Sequence, residues 1–157
     1  MISKQAASGQ VLNEVAIREV IDSGLGGQFT GAKVLALIPD HTRTIPLAKL
    51  FPLIVNALRD TFQLDFMVAL GTHPPLSETS LNDLVGITAD ERTTTYKHIG
   101  LLNHDWANPN ALLDIGTITQ DEIKTIAGDV WHPSLGGDVP IRINKHVTDY
   151  DHLLIIG

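Results

Sequence analysis

The sequence predicts an α/β protein, a mostly parallel sheet with helices on both faces, built from strand-helix-strand crossover units. Three observations predict it. Two short aliphatic runs, residues 33–38 and 65–70, are separated by an amphipathic stretch from Leu47 to Leu58. Strand, helix and strand within about forty residues is the right-handed crossover of a parallel sheet. Each run is followed at once by a polar motif, Asp40-His41-Thr42-Arg43 and Gly71-Thr72-His73, as expected where parallel strands end on a common edge and deliver chemistry to one crevice.

The elements follow in order. Residues 13–23 carry Ala16, Ile17, Val20 and Ile21 at helical spacing with charges between them. Gly24 and Gly26-Gly27 stop that helix, and because the run follows a helix and lacks the G-x-G-x-x-G order it is not a dinucleotide fingerprint. Residues 33–38, bounded by Gly31 and Pro39, are too short for a typical helix and read as a buried strand. Pro46 opens the strongest helix, in which Leu47, Leu50, Phe51, Ile54, Val55 and Leu58 recur on one face. Pro52 falls within its first two turns and predicts a late start or a kink. Residues 65–70 form the second strand. Ser77 caps the next helix, Glu78 suits its positive end, and Leu81, Leu84 and Val85 give it an apolar face before Gly86. Further on, residues 93–99 and 112–118 are expected as strands and 121–126 as a turn of helix. Residues 140–144 and 152–156 are also strands, the last placed centrally because it is almost wholly apolar. Gly128-Asp129-Val130-Trp131-His132-Pro133 reads as a surface loop, with a place on the pocket rim as the alternative that its single aromatic offers.

A chain of 157 residues, 43% hydrophobic, can bury one sizeable core and is expected as a single domain over 1–157. Its 11 basic against 18 acidic residues give a net charge of -7, opposite in sign to what a phosphate-backbone binder needs, so nucleic acid is excluded as a partner. The absence of cysteine removes disulfides, thiolate metal sites and Cys nucleophiles, and fits a reducing compartment. The first ten residues lack a signal-peptide core, and no run reaches the roughly 18 apolar residues of a membrane span. A soluble, cytoplasmic protein with no membrane partner is the expectation. The closing His152-Leu153-Leu154-Ile155-Ile156-Gly157 reads as a core strand plus the start of the next loop, so the chain is expected to be the amino-terminal part of a longer polypeptide.

Three side chains carry the candidate chemistry. Arg43 can hold a carboxylate through two parallel hydrogen bonds, although an Asp40–Arg43 ion pair that merely shapes the loop fits the same spacing. His73, in the loop beyond the second strand, suits proton transfer near neutral pH, and a histidine that only packs is the plainer alternative. Thr42, Thr72, His104 and Asp105 are the further candidate pocket residues. His104-Asp105 could orient one another, but neighbours along a strand point to opposite faces. The remaining histidines, His41, His98, His132, His146 and His152, are scattered and show no metal-ligand spacing, so no metal site is assigned.

Asp40-His41-Thr42-Arg43, Gly71-Thr72-His73, Asn103-His104-Asp105 and the closing Leu-Leu-Ile-Ile-Gly strand, in that order, resemble the amino-terminal domain of the lactate racemase family, whose members use a nickel-pincer nucleotide. The resemblance runs from about residue 11 to 157. It implies that Arg43 binds the substrate carboxylate with Asp40 in support, and that His73 is one of two catalytic histidines. The implied reaction is racemisation or epimerisation of a 2-hydroxy acid, in which a histidine takes the hydroxyl proton while the α-hydride moves to the cofactor and returns to the other face. In the family the second histidine, the cofactor-bound lysine and the nickel-ligating histidine all follow the strand matching residues 152–156, so none is assigned here. The expectation is therefore the substrate-binding half of such an enzyme, inactive as a fragment, whose partners are a small 2-hydroxy acid and the remainder of its own polypeptide. The alternative is a non-catalytic α/β module that binds a small carboxylate. The chain departs from the family where a basic residue usually follows Gly-Thr-His, here Pro74-Pro75, and where Pro often follows the Arg, here Thr44, which leaves the choice between lactate and larger sugar acids open.

Overall fold

Alternate residues of two parallel strands build the main buried cluster. The computed structural model describes residues 2–71 and 73–157, with only the backbone at Leu135, and within it the chain forms two compact units, residues 2–104 with 149–157, and residues 105–148.

In the first unit α1 (Glu14–Leu25) begins where the Asn13 side chain accepts the Ala16 N–H at 2.9 Å, and it runs through Gly24 to close at Gly26. β1 (Lys33–Ile38) spans the predicted residues, and β2 (Gln63–Val68) both starts and ends two residues earlier than predicted. Between them α2 (Leu47–Ala57) starts directly after Pro46 and keeps Pro52 inside it, without the late start. α3 (Glu78–Val85) is capped by Ser77, which accepts the Ser80 N–H. It ends at Gly86 with φ +73°, where any side chain would also run into Ala48 of α2, so glycine is required both for the backbone turn and for the close approach. α4 (Ala89–Thr93), β3 (Gly100–Asn103) and β6 (His152–Ile155) complete the unit. The four strands are parallel in the order β3-β2-β1-β6. Val34, Ala36 and Ile38 of β1 and Leu64, Phe66 and Val68 of β2 share one buried cluster with residues of α2 and α3. Within it the Phe51 and Phe66 rings lie 4.8 Å apart. A parallel sheet flanked by helices is the α/β class that the sequence predicts.

Two expectations are corrected. Residues 93–99 are not a strand: Thr88 and Glu91 form a capping box that starts α4, and the Thr93 and Thr94 hydroxyls fold back onto the carbonyls of Ala89 and Asp90. Threonine here satisfies helix carbonyls locally instead of joining a ladder. β6 is not central either. It is an edge strand of the four, with Leu153 and Ile155 45% and 80% exposed, because apolar composition alone does not distinguish a strand buried on both faces from one covered on a single face.

The second unit holds β4 (Leu112–Ile118) and β5 (Val139–Asn144), an antiparallel pair with a register shift between Asp114 and Gly116. It also holds α5 (Gln120–Ala127), opened by a Thr119–Glu122 capping box. The expected loop at 128–133 contains a short 3-10 turn at Gly128–Val130. No helix among the described residues is long and apolar enough to cross a membrane.

Candidate functional site

β1 and β2 end level with one another, Ile38 beside Val68, and the Ala69 N–H continues the pairing onto the Ile38 carbonyl at 2.8 Å. The two polar motifs therefore leave the sheet side by side. Past β1 the chain turns so that the Arg43 N–H meets the Asp40 carbonyl, while the Asp40 side chain, 9% exposed, accepts the Thr42 N–H at 3.0 Å and the Thr42 hydroxyl at 2.5 Å, both on Oδ1. The other oxygen, Oδ2, lies 2.9 Å from His73 Nδ1. The Thr42 hydroxyl first, then the Thr42 N–H, and beyond them His73, outweigh burial and hold the Asp40 carboxyl down at about 2. An ionised carboxylate can only accept, so the proton between them sits on Nδ1, and in the neutral imidazole the basic lone pair is then on Nε2. The His73 side chain is 55% exposed against 10% for Asp40, a wet imidazole on a dry anchor.

Arg43 forms no ion pair with Asp40 and no side-chain hydrogen bond among the described residues. It lines a cleft of about 490 Å³ with Pro39, Thr44, Ile45 and Gly157. The position is topologically marked: from β1 the chain steps to β2 and β3 on one side, whereas β6 pairs on the other, and the cleft opens where β1 and β6 end. That reversal is where open α/β sheets bind ligands. His73 is not among the residues lining this cleft; Asp40 links the two, holding His73 with its side chain and Arg43 with its backbone. A second cleft on the unit, lined by Phe62, Tyr96, Arg59 and His98, lies at the opposite, starting ends of the strands and brings no comparable pair together.

Of the other candidates, Thr42 is a direct partner of Asp40, and Thr72 lies outside the described residues. His104 follows β3, its N–H on the Val68 carbonyl at 3.0 Å, so it leaves the sheet at the same edge. Asp105 opens the second unit. Among the described residues no cluster of three or more His, Cys, Asp or Glu could hold a metal ion. Sequence reasoning missed the bonding role of Asn103 at this edge. The last residue of β3, it accepts the Leu76 N–H on Oδ1 at 3.0 Å and donates from Nδ2 to the Leu76 carbonyl at 2.9 Å. A polar residue closing an apolar strand, within the Asn-His-Asp motif, was the available signal.

The family model of the lactate racemase N-terminal domain matches residues 4–131. No curated protein matches the chain. A crystal structure of a protein from Thermotoga maritima is similar, at 24% sequence identity and a TM-score of 0.73, over 96% of this chain and 34% of that one. At this identity the likeness is one of fold, and the chain spans about a third of the length of that protein. Since the family match takes in both polar motifs and most of the sequence, the chain belongs to the lactate racemase N-terminal domain family.

Proposed function

We propose that this chain is the substrate-binding half of a 2-hydroxy-acid racemase or epimerase, and that Arg43, His73 and Asp40 are the residues that act on the substrate or support those that do. The single observation that carries the proposal is the Asp40–His73 pair, 2.9 Å apart in the loops that leave adjacent strands, one turn from a guanidinium with no carboxylate on it among the described residues. Arg43 binds the carboxylate through paired N–H donors, which leaves the C2 hydroxyl as the group presented to a base. His73 Nε2 exchanges the C2 hydroxyl proton on its own face of the substrate while Asp40 keeps the ring in the required tautomer; the nickel-pincer nucleotide, when bound, would supply the acceptor for the C2 hydride. The nickel-pincer nucleotide that the resemblance implies finds no metal-ligating cluster among the described residues. The residues at this edge fit the substrate and the proton, and the remainder of a longer polypeptide is the proposed partner that completes the site. Thr44 in the wall of the Arg43 cleft adds a hydroxyl there, which suits sugar acids as well as lactate.

The test is calorimetric titration of lactate and of a longer aldonic acid into the chain and into Arg43→Ala. Loss of the bidentate contact weakens binding about 10- to 100-fold. Equal affinity in the two proteins removes the carboxylate role. Binding that depends on Arg43, combined with turnover by the longer polypeptide that survives His73→Ala, leaves the non-catalytic binding module as the correct reading.

A further inference from the structure

We propose that Asn103 is a positioning residue for His73, a carboxamide clamp that sets the loop on which the imidazole is carried. The inference rests on the acid-base reading of His73. After His73 come Pro74 and Pro75, which have no N–H, so Leu76 offers the first backbone donor by which the downstream side of the loop can be tied. Asn103 takes that donor on Oδ1 at 3.0 Å and supplies Nδ2 to the carbonyl of the same residue at 2.9 Å. One side chain thereby does for Leu76 what a neighbouring strand would do.

The clamp is itself fixed. Asn103 pairs with Val68 in the β2–β3 register, and Val68 is the residue from which the His73 loop departs. The loop is thus closed at both ends on adjacent strands, at Val68 by the sheet and at Leu76 by Asn103. Proline φ is locked, so the short Pro74-Pro75 link transmits the position of Leu76 to His73 with little slack. The side chain of Leu76 packs against the core cluster, and Ser77, which follows, caps α3. The arrangement demands a group that both accepts and donates. Aspartate presents a second acceptor to the Leu76 carbonyl, and alanine presents nothing.

The experiment is nitrogen-15 NMR of the His73 ring at a pH where it is neutral, in the full chain, for wild type, Asn103→Ala, Asn103→Asp and the reference Asp40→Ala, with thermal unfolding of each. The wild type shows the Nδ1–H tautomer; both Asn103 variants shift toward the mixed tautomers of Asp40→Ala while remaining folded. A merely structural asparagine lowers the melting temperature and leaves the tautomer as in wild type, and that result overturns the proposal. Should neither variant fold, hydrogen exchange of the wild-type Leu76 amide decides: protection of about tenfold or more relative to an open loop is expected, and exchange at the open-loop rate overturns the clamp. None of these readouts uses turnover. If His73→Ala leaves the longer polypeptide active, the acid-base reading falls while the NMR result stands on its own.

Discussion

Two buried carboxylates on the same sheet have opposite surroundings. Asp65, in the body of β2, is 7% exposed and receives the Tyr150 hydroxyl at 2.6 Å, the Gln63 amide at 2.5 Å and the Gly100 N–H at 2.5 Å. All three donors belong to the sheet or to the segment entering β6. Burial first, and then the bond to Asp65, push the Tyr150 hydroxyl well above the ordinary tyrosine range, so it remains a donor. Asp40, at the end of β1, is just as buried, yet one of its partners is an imidazole more than half exposed. The first carboxylate is held by half-buried groups and ties β2, β3 and the segment before β6 together. The second passes its charge to a group that meets solvent. Burial alone therefore does not tell the two carboxylates apart; the exposure of their partners does.

The sharpest break in this comparison is removal of the inner carboxylate. Asp65→Ala leaves the half-buried Tyr150 hydroxyl, Gln63 amide and Gly100 N–H without their shared acceptor and costs about 2–3 kcal/mol of stability, read as a lower urea midpoint at unchanged slope. Asp40→Asn costs about 1 kcal/mol or less, because its neighbours reach water. Similar losses in the two variants would erase the distinction.

Gly100→Ala is the next largest. A Cβ at that position would collide with the Asp65 carboxyl, which three hydrogen bonds prevent from moving aside. A loss of about 1–3 kcal/mol is expected, and in the Asp65→Ala background most of it disappears, since the atom in the way is gone. Additive losses would show that the strain lies elsewhere.

What the sequence revealed of this contrast follows from its physics. β1, β4 and the Ser77–Gly86 boundaries of α3 were legible because each rests on local rules: an apolar run of strand length, a hydroxyl cap, a glycine stop. Asp40, Arg43 and His73 were legible as candidates because strand ends can be found from the strands. The Asp65 network was not, since its partners Gln63, Gly100 and Tyr150 lie up to 85 residues away and nothing local ties them together. The start of β2 was missed for the same reason: Gln63 belongs to the strand through pairing with Lys33, not through apolar character. Asn103 stood in plain view, but its role depends on Leu76, which only the fold places opposite.

The smallest effect separates the outer carboxylate by acid titration. Asp40 has its carboxyl lowered from 3.8 to about 2, so the folded state binds this proton more weakly than the unfolded chain does. The resulting stabilisation is fully present above about pH 4 and is lost as pH falls through about 2, and its size is of order 1 kcal/mol once screening at the rim is allowed for. Urea unfolding between pH 5 and 2 therefore falls less steeply for Asp40→Asn than for wild type. Thr42→Val, which removes the hydroxyl bond that lowers this carboxyl most, moves the curve part of the way toward Asp40→Asn. If Thr42→Val leaves the acid limb unchanged while Asp40→Asn flattens it, His73 and not Thr42 sets the charge of this carboxylate, and the Asp40 anchor itself depends on the imidazole it holds.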